Sequence, residues 1–154
     1  MSDEQEIHRL GSQLVALPSR LEALVAYWLQ KCAGRAMPGR DELPEQELRP
    51  WFGNLALIEL SEDERHHIRL CGTNLIRRFG REATGVAVAD LAFDISAQLR
   101  AILKATGKSA VPVVAISRVR LGHGLSTYAE VALPLSGEGR ISTILLGCYS
   151  IRES

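Results

Sequence analysis

Two arginines four residues apart, two adjacent histidines, three scattered cysteines and one Gly-Lys-Ser run are the groups in this chain with chemistry to offer. Ala105-Thr106-Gly107-Lys108-Ser109 ends like a phosphate-binding loop, in which backbone N–H groups and a lysine cradle phosphate oxygens. That loop needs an earlier glycine where Ile102 stands, and it must run from strand into helix, the reverse of the pattern here. A helix end and a solvated lysine are expected instead. Arg77 and Arg81 have the spacing of an R-x-x-x-R anion-binding motif, and Asp94-x-Ser96 superficially extends it, but Leu99 stands where a glycine should follow. With Arg78 they read as a stripe facing solvent. His66 and His67 are neighbours on a strand, so they point to opposite faces and do not close on one metal ion; His123 falls in a glycine turn. Cys32, Cys71 and Cys148 form no C-x-x-C pair and leave an odd thiol, which suggests neither a disulfide framework nor a zinc site and fits a reducing, cytoplasmic compartment. No nucleophile–base constellation has a recognisable spacing. For acid–base work in an apolar cavity the chain offers only Glu130, His66 and Asp94.

The elements that must position these groups form one domain. A chain of 154 residues suits a single core, burying about 70% of the unfolded surface. Its 18 basic and 18 acidic residues balance, so no general grip on nucleic acid or an anionic membrane is expected. Asp3, Glu4 and Glu6 are unlike a signal peptide, and no run is long enough to span a bilayer.

Ile7, Leu10, Leu14 and Leu17 recur near helical spacing and predict a short amphipathic segment ended by Pro18. From Ser19, the positions Leu21, Leu24, Val25, Trp28, Leu29 and Cys32 predict a helix that Ala33-Gly34 stops. Pro38, Gly39, Pro44 and Pro50 then make an extended strap with one turn of helix near Glu45 to Leu48. Leu55 to Leu60 and the segment around Ile68 and Leu70 read as a hairpin, the two latter residues alternating with Arg69. Gly72 breaks the second strand, Thr73 offers an N-cap, and Leu75, Ile76 and Phe79 face inward on a short helix capped by Gly80. Val86 to Asp90 is irregular. Asp94 or Ser96 caps a longer helix carrying Leu99, Ile102 and Leu103, which Gly107 ends. Three strands follow: Pro112–Leu121, Thr127–Leu135 and Arg140–Ile151. In the second, Ala129, Val131, Leu133 and Leu135 share one side and Tyr128 and Glu130 the other, while the third is apolar on both faces. Strand, strand, helices and three strands make an α+β fold with a five-stranded antiparallel sheet, short helices on one face and an N-terminal amphipathic helix.

The pattern Gly72-Thr73-Asn74-Leu75-x-x-x-Phe79-Gly80-Arg81-Glu82-x-Thr84-Gly85 resembles that of PAS domains, in particular short single-domain bacterial PAS proteins. The likeness extends to the Trp28 helix, to Met37-Pro38-Gly39-Arg40-Asp41 and Leu48-Arg49-Pro50, and to the Leu133-Pro134-Leu135-Ser136 turn. It implies a polar segment over residues 1–17, a helix and strap over 18–53 and a PAS-like core over 54–154. It also implies a cavity between the inner sheet face and the short helices, lined here by Ile58, Leu70, Leu75, Phe79, Leu91, Phe93, Leu99, Ile102, Ile116, Tyr128, Val131 and Leu145. A filled core is the preferred reading of the same residues, because apolar sets at these periods need no further cause. Tyr128, Thr143 and Arg120 are the polar groups a pocket would converge.

No flavin or haem signature accompanies the likeness. The short helix holds no cysteine and the long helix no histidine. The expectation is a non-catalytic sensory or regulatory module that binds a small molecule or a signalling protein partner; the alternative is a small cone-shaped α+β enzyme with an acid–base residue in its cavity. Leu21, Leu24, Val25, Trp28 and Leu29 form an apolar stripe that suits either a homodimer interface or packing on the chain's own sheet.

Overall fold

The computed structural model describes residues 4–13, 16–121 and 124–151. Leu14, of the N-terminal apolar series, and His123 with Gly122 lie outside them. The chain is α+β, with a six-stranded antiparallel sheet of β1 (Gln5–Arg9), β2 (Leu55–Glu59), β3 (His67–Cys71), β4 (Val113–Leu121), β5 (Gly124–Gly137) and β6 (Arg140–Ile151), in the order β1-β4-β5-β6-β2-β3. β5 and β6 are long and central, and their side chains are buried on both faces over most of their length. That requires a layer of cover on each side.

The outer face is covered by α1 (Ser19–Cys32) and the strap. Leu21, Leu24, Val25, Trp28 and Cys32 are buried at helical spacing and pack with Leu55, Val114, Ile116, Ala129, Val131, Leu133, Leu135 and Leu145. Ala33, in the left-handed region at φ 49°, ends the helix. Trp28 Nε1 donates to the Pro134 carbonyl at 3.0 Å, and Trp51 Nε1 donates to the Arg20 carbonyl at 2.8 Å, so both ends of the helix are pinned. Gly147 of β6 lies directly beneath: a Cβ there would sit 2.6 Å from Leu24 Cδ2 and 3.0 Å from Leu21 Cδ2. In the strap, α2 (Glu45–Leu48) ties back through Tyr27 and Lys31, both bonded to Glu47. Arg35 and then the Gly39 N–H hold the Glu42 carboxyl down at about 2.

The inner face is covered by α3 (Ile76–Phe79) and α4 (Phe93–Ser109), around Ala56, Ile58, Ile68, Leu75, Phe79, Leu99, Ile102, Ala132, Ile144 and Leu146. No helix is long and apolar enough to cross a membrane, among the described residues.

Four local expectations change. The N-terminal apolar series does not make a helix; Gln5–Arg9 is a sixth strand, because pairing with β4 satisfies the backbone groups on one edge and brings Ile7 onto the inner core. No side-chain cap forms at Thr73, since the turn begins at Gly72 and passes through a 3₁₀ stretch, Thr73–Leu75, into α3. The long helix starts at Phe93 rather than Asp94 or Ser96, and it runs through Gly107 to end at Ala110, whose N–H donates to the Thr106 carbonyl. Ile68 and Leu70 do not share a face. Leu57 pairs with Leu70 but Ile58 pairs with Ile68, a bulge at Arg69 that sends Ile68 inward and Leu70 outward.

Candidate functional site

The inner layer is organised by the turn after β3. Gly72 lies so close to the chain before β2 that a Cβ there would meet the Gly53 carbonyl oxygen at 2.2 Å, a contact with backbone that only glycine avoids. Its N–H donates to the Leu55 carbonyl at 2.8 Å, and Asn74 Nδ2 donates to Asn54 Oδ1 at 2.8 Å. The same Asn54 donates to the Cys148 carbonyl at 2.9 Å, tying the turn to β6. The chain then makes one turn of α3 and leaves it through Gly80 at φ 81°.

This short helix presents Leu75, Arg78 and Phe79 to the sheet, the i, i+3, i+4 face, with Arg78 and Phe79 at 0% and 1% exposure. Arg78 Nε donates to Glu130 Oε2 at 2.9 Å and Nη2 to Oε1 at 3.2 Å, a two-pronged pair with both side chains at 0% exposure. The guanidinium carbon also lies 5.8 Å from the Tyr128 ring centroid. Burial works against the Arg78 charge, but the Glu130 carboxylate and its two bonds outweigh it and hold the guanidinium protonated above its ordinary range. Burial, with the same carboxylate adding to it, pushes the Cys148 thiol well above its usual value; burial also raises Tyr128 and Cys71. Cys148 is therefore a thiol held protonated beside the Arg78–Glu130 pair. Arg78 Nη1 is buried and has no acceptor among the described residues.

Of the residues expected around one cavity, Ile58, Leu75, Phe79, Leu91, Leu99, Ile102 and Tyr128 do meet on the inner face. Leu70, Ile116, Val131 and Leu145 lie on the opposite face beneath α1 and the strap, and Phe93 is 80% exposed at the start of α4. Alternation along a strand shows which residues share a side but not which side meets which layer. In β5 the more apolar side went to α1, and the side carrying Tyr128 and Glu130 went to the inner layer. Thr143 is on the outer side and Arg120 at an exposed rim, so Tyr128 alone of the three polar groups faces inward. The stripe expected as an interface is covered within the chain at Leu21, Leu24, Val25 and Trp28, leaving Leu29 55% exposed.

Two residues of α3 lie opposite to expectation: Ile76, expected inward, is 39% exposed, and Arg78, expected in solvent with Arg77 and Arg81, is buried. The signal was present: the spacing that faces Leu75 and Phe79 inward carries Arg78 with them, and Glu130 interrupts an otherwise apolar strand. Among the acid–base candidates, Glu130 has both oxygens engaged by Arg78, His66 sits in the β2–β3 turn accepting a bond from the Ser61 N–H, and Asp94 is exposed in the first turn of α4. Five pockets open at the surface have other linings, and none of them takes in Arg78, Phe79, Tyr128 or Glu130.

Compared with families of known proteins, residues 17–150 match the PAS domain model, nearly the whole chain. The chain belongs to the PAS domain family. Its α+β architecture agrees with that family, and the PAS match makes it a sensory or regulatory module in general terms. β1 lies outside the matched span, an added strand at the edge of the PAS sheet. No curated protein and no solved structure matches the chain.

Proposed function

We propose that this PAS domain is a non-catalytic module that takes a small acceptor-bearing molecule into its inner layer beside Arg78 and passes the result to a signalling protein. The observation that carries the reading is Arg78 Nη1, a buried charged donor without an acceptor among the described residues, on a helix of a single turn. A donor left so is among the costliest groups to bury, and a carbonyl or carboxylate oxygen reaching it removes that cost. One turn of helix has little of its own to hold it, so an arriving ligand can displace α3 while the long strands stay in place. The full engagement of Glu130 supports a binding role over acid–base catalysis, because a carboxylate paired on both oxygens is a poor base. The free thiols Cys32, Cys71 and Cys148 support a reducing, cytoplasmic setting.

The test is native mass spectrometry of the purified chain beside the same sample denatured, for wild type and for Arg78→Lys. Extra mass that is lost on denaturation, and reduced in the variant, is the expected result. A wild-type chain at its bare mass, with no thermal shift from carboxylate or carbonyl metabolites in a screened set, overturns the ligand.

A further inference from the structure

Among the described residues, β1 ends the sheet with its own outer edge open. The Glu4 carbonyl accepts from the Arg118 N–H and the Leu10 N–H donates to the Pro112 carbonyl, so the even-numbered residues of β1 bond to β4 and the odd ones, Gln5, Ile7 and Arg9, turn their N–H and C=O groups away. Among the described residues, none of these groups has a backbone partner except the Arg9 carbonyl, which accepts from the Ser12 N–H. The opposite edge is different. There β3 is covered by a bridge from His67 to Ala87 and by bonds between Ile68 and the chain at Gly85 and Val86. The position beyond β1 also has a floor. Ala97, Ala101 and Ala105, small and at four-residue intervals, leave a groove along α4 that measures 490 Å³ where Ile7 and Phe93 border it. Phe93, at 80% exposure, is its uncovered apolar wall.

We propose that a second copy of this chain occupies that position, β1 pairing antiparallel with the partner's β1 about a two-fold axis at Ile7. The occupant is argued from the strand's own symmetry. The outward groups fall on residues 5, 7 and 9, which map onto themselves about Ile7; the Arg9 carbonyl, which already takes the Ser12 N–H, has a second lone pair for the partner's Gln5 N–H. Gln5 then stands opposite the partner's Arg9, and the two Ile7 side chains meet on the inner side within the groove. On the outer side, Glu6 stands opposite the partner's His8, in the closer, non-hydrogen-bonded kind of pair, and the reciprocal pair repeats it. Within one copy Glu6 and His8 are 3.9 Å apart on the same side and Arg118 Nη2 lies 3.2 Å from the other Glu6 oxygen, so a carboxylate and an imidazole face their counterparts across the axis. A net charge of zero leaves no long-range repulsion to oppose association. The joined sheet would have no open edge, the usual liability of a strand so placed. This interface is independent of the ligand reading at Arg78.

Sedimentation of the full chain over a concentration series tests it, with circular dichroism reporting the fold of each variant. Wild type is expected to dimerise. His8→Glu places carboxylate against carboxylate across the axis twice and is expected to weaken the dimer about tenfold or more, and Glu6→Lys removes the carboxylate from each cross-axis pair and is expected to weaken it less. The double variant E6K/H8E restores opposite charges and is expected to return to within a few-fold of wild type; because residues 6 and 8 also meet within one copy, the dimer reading further requires that the circular dichroism and monomer melting of the single variants match wild type. Ile7→Pro removes an outward N–H and the central side chain without touching a β1–β4 bond, and is expected to give a folded monomer. A wild-type monomer throughout, or a dimer indifferent to the Glu6 and Ile7 variants, overturns the proposal. So does a dimer lost only on Leu29→Glu, which would place the interface on α1.

Discussion

Removing one partner of the Arg78–Glu130 pair strands a charge in the inner layer, whereas removing both strands none. Arg78→Met or Glu130→Leu alone is therefore expected to lower stability by about 3–5 kcal/mol, and the double substitution by much less than the sum, as read from urea denaturation. Additive losses would show that the pair is not the buried unit described above. His66 makes a second residue-scale prediction. Burial lowers its pKa from the ordinary value, Arg100 and His67 act in the same direction, and the nearby Glu64 and Asp63 oppose them. The unfolded chain thus binds a proton at higher pH than the folded one. The contribution is present above the unfolded value near 6.5 and is lost as pH falls below it. Acidification also protonates the Nδ1 that accepts the Ser61 N–H. A drop in melting temperature between pH 7.5 and 5.5, on the order of a degree or two, is expected in wild type and reduced in His66→Gln. These two residues differ in how far they could be read beforehand. The partner of Arg78 lies 52 positions away in sequence, and no local spacing names it.

At the scale of elements, α1 is held by shape as much as by its apolar stripe. Its leucines rest on the missing side chain of Gly147, so Gly147→Val is expected to lift the helix and cost about 1–3 kcal/mol or more. Trp28→Phe keeps most of the burial but loses the bond to the Pro134 carbonyl, an expected cost of about 1 kcal/mol beyond the change in area. Near-ultraviolet circular dichroism and denaturant midpoints check both; a Gly147→Val protein as stable as wild type would mean that α1 does not seat there. The helix itself was legible, with its bounds at Ser19 and Cys32 following from apolar spacing and the Ala33-Gly34 stop. Its choice of partner was not. A stripe that could cover a second subunit equally well covers the chain's own sheet, and it takes the Leu21 and Leu24 contacts with Gly147 and the Trp28 bond to Pro134 to distinguish the two.

For the whole molecule, β1 is an addition to a core that the family match shows to begin near residue 17. Deleting residues 1–10 removes the β1 ladder and the Gln5 bonds to Ser117 and the Gln98 carbonyl, and it bares the β4 edge. The shortened chain is expected to fold with a lower denaturant midpoint and a greater tendency to aggregate; failure to fold would make β1 part of the core. By itself the sequence determined the order of strands and helices after residue 18, the turn at Gly72, Gly80 and Gly85, and the PAS resemblance, because periodicity, glycine and proline act over a few residues. Tertiary structure alone decided which side of each strand met which helix, where the Arg69 bulge reversed that side, and that Gln5–Arg9 is a strand. It also decided that one arginine of an exposed-looking trio is sealed against a carboxylate of β5. Those outcomes depend on groups far apart in the chain satisfying one another once both faces of the sheet are covered, and local pattern carries no record of the partner.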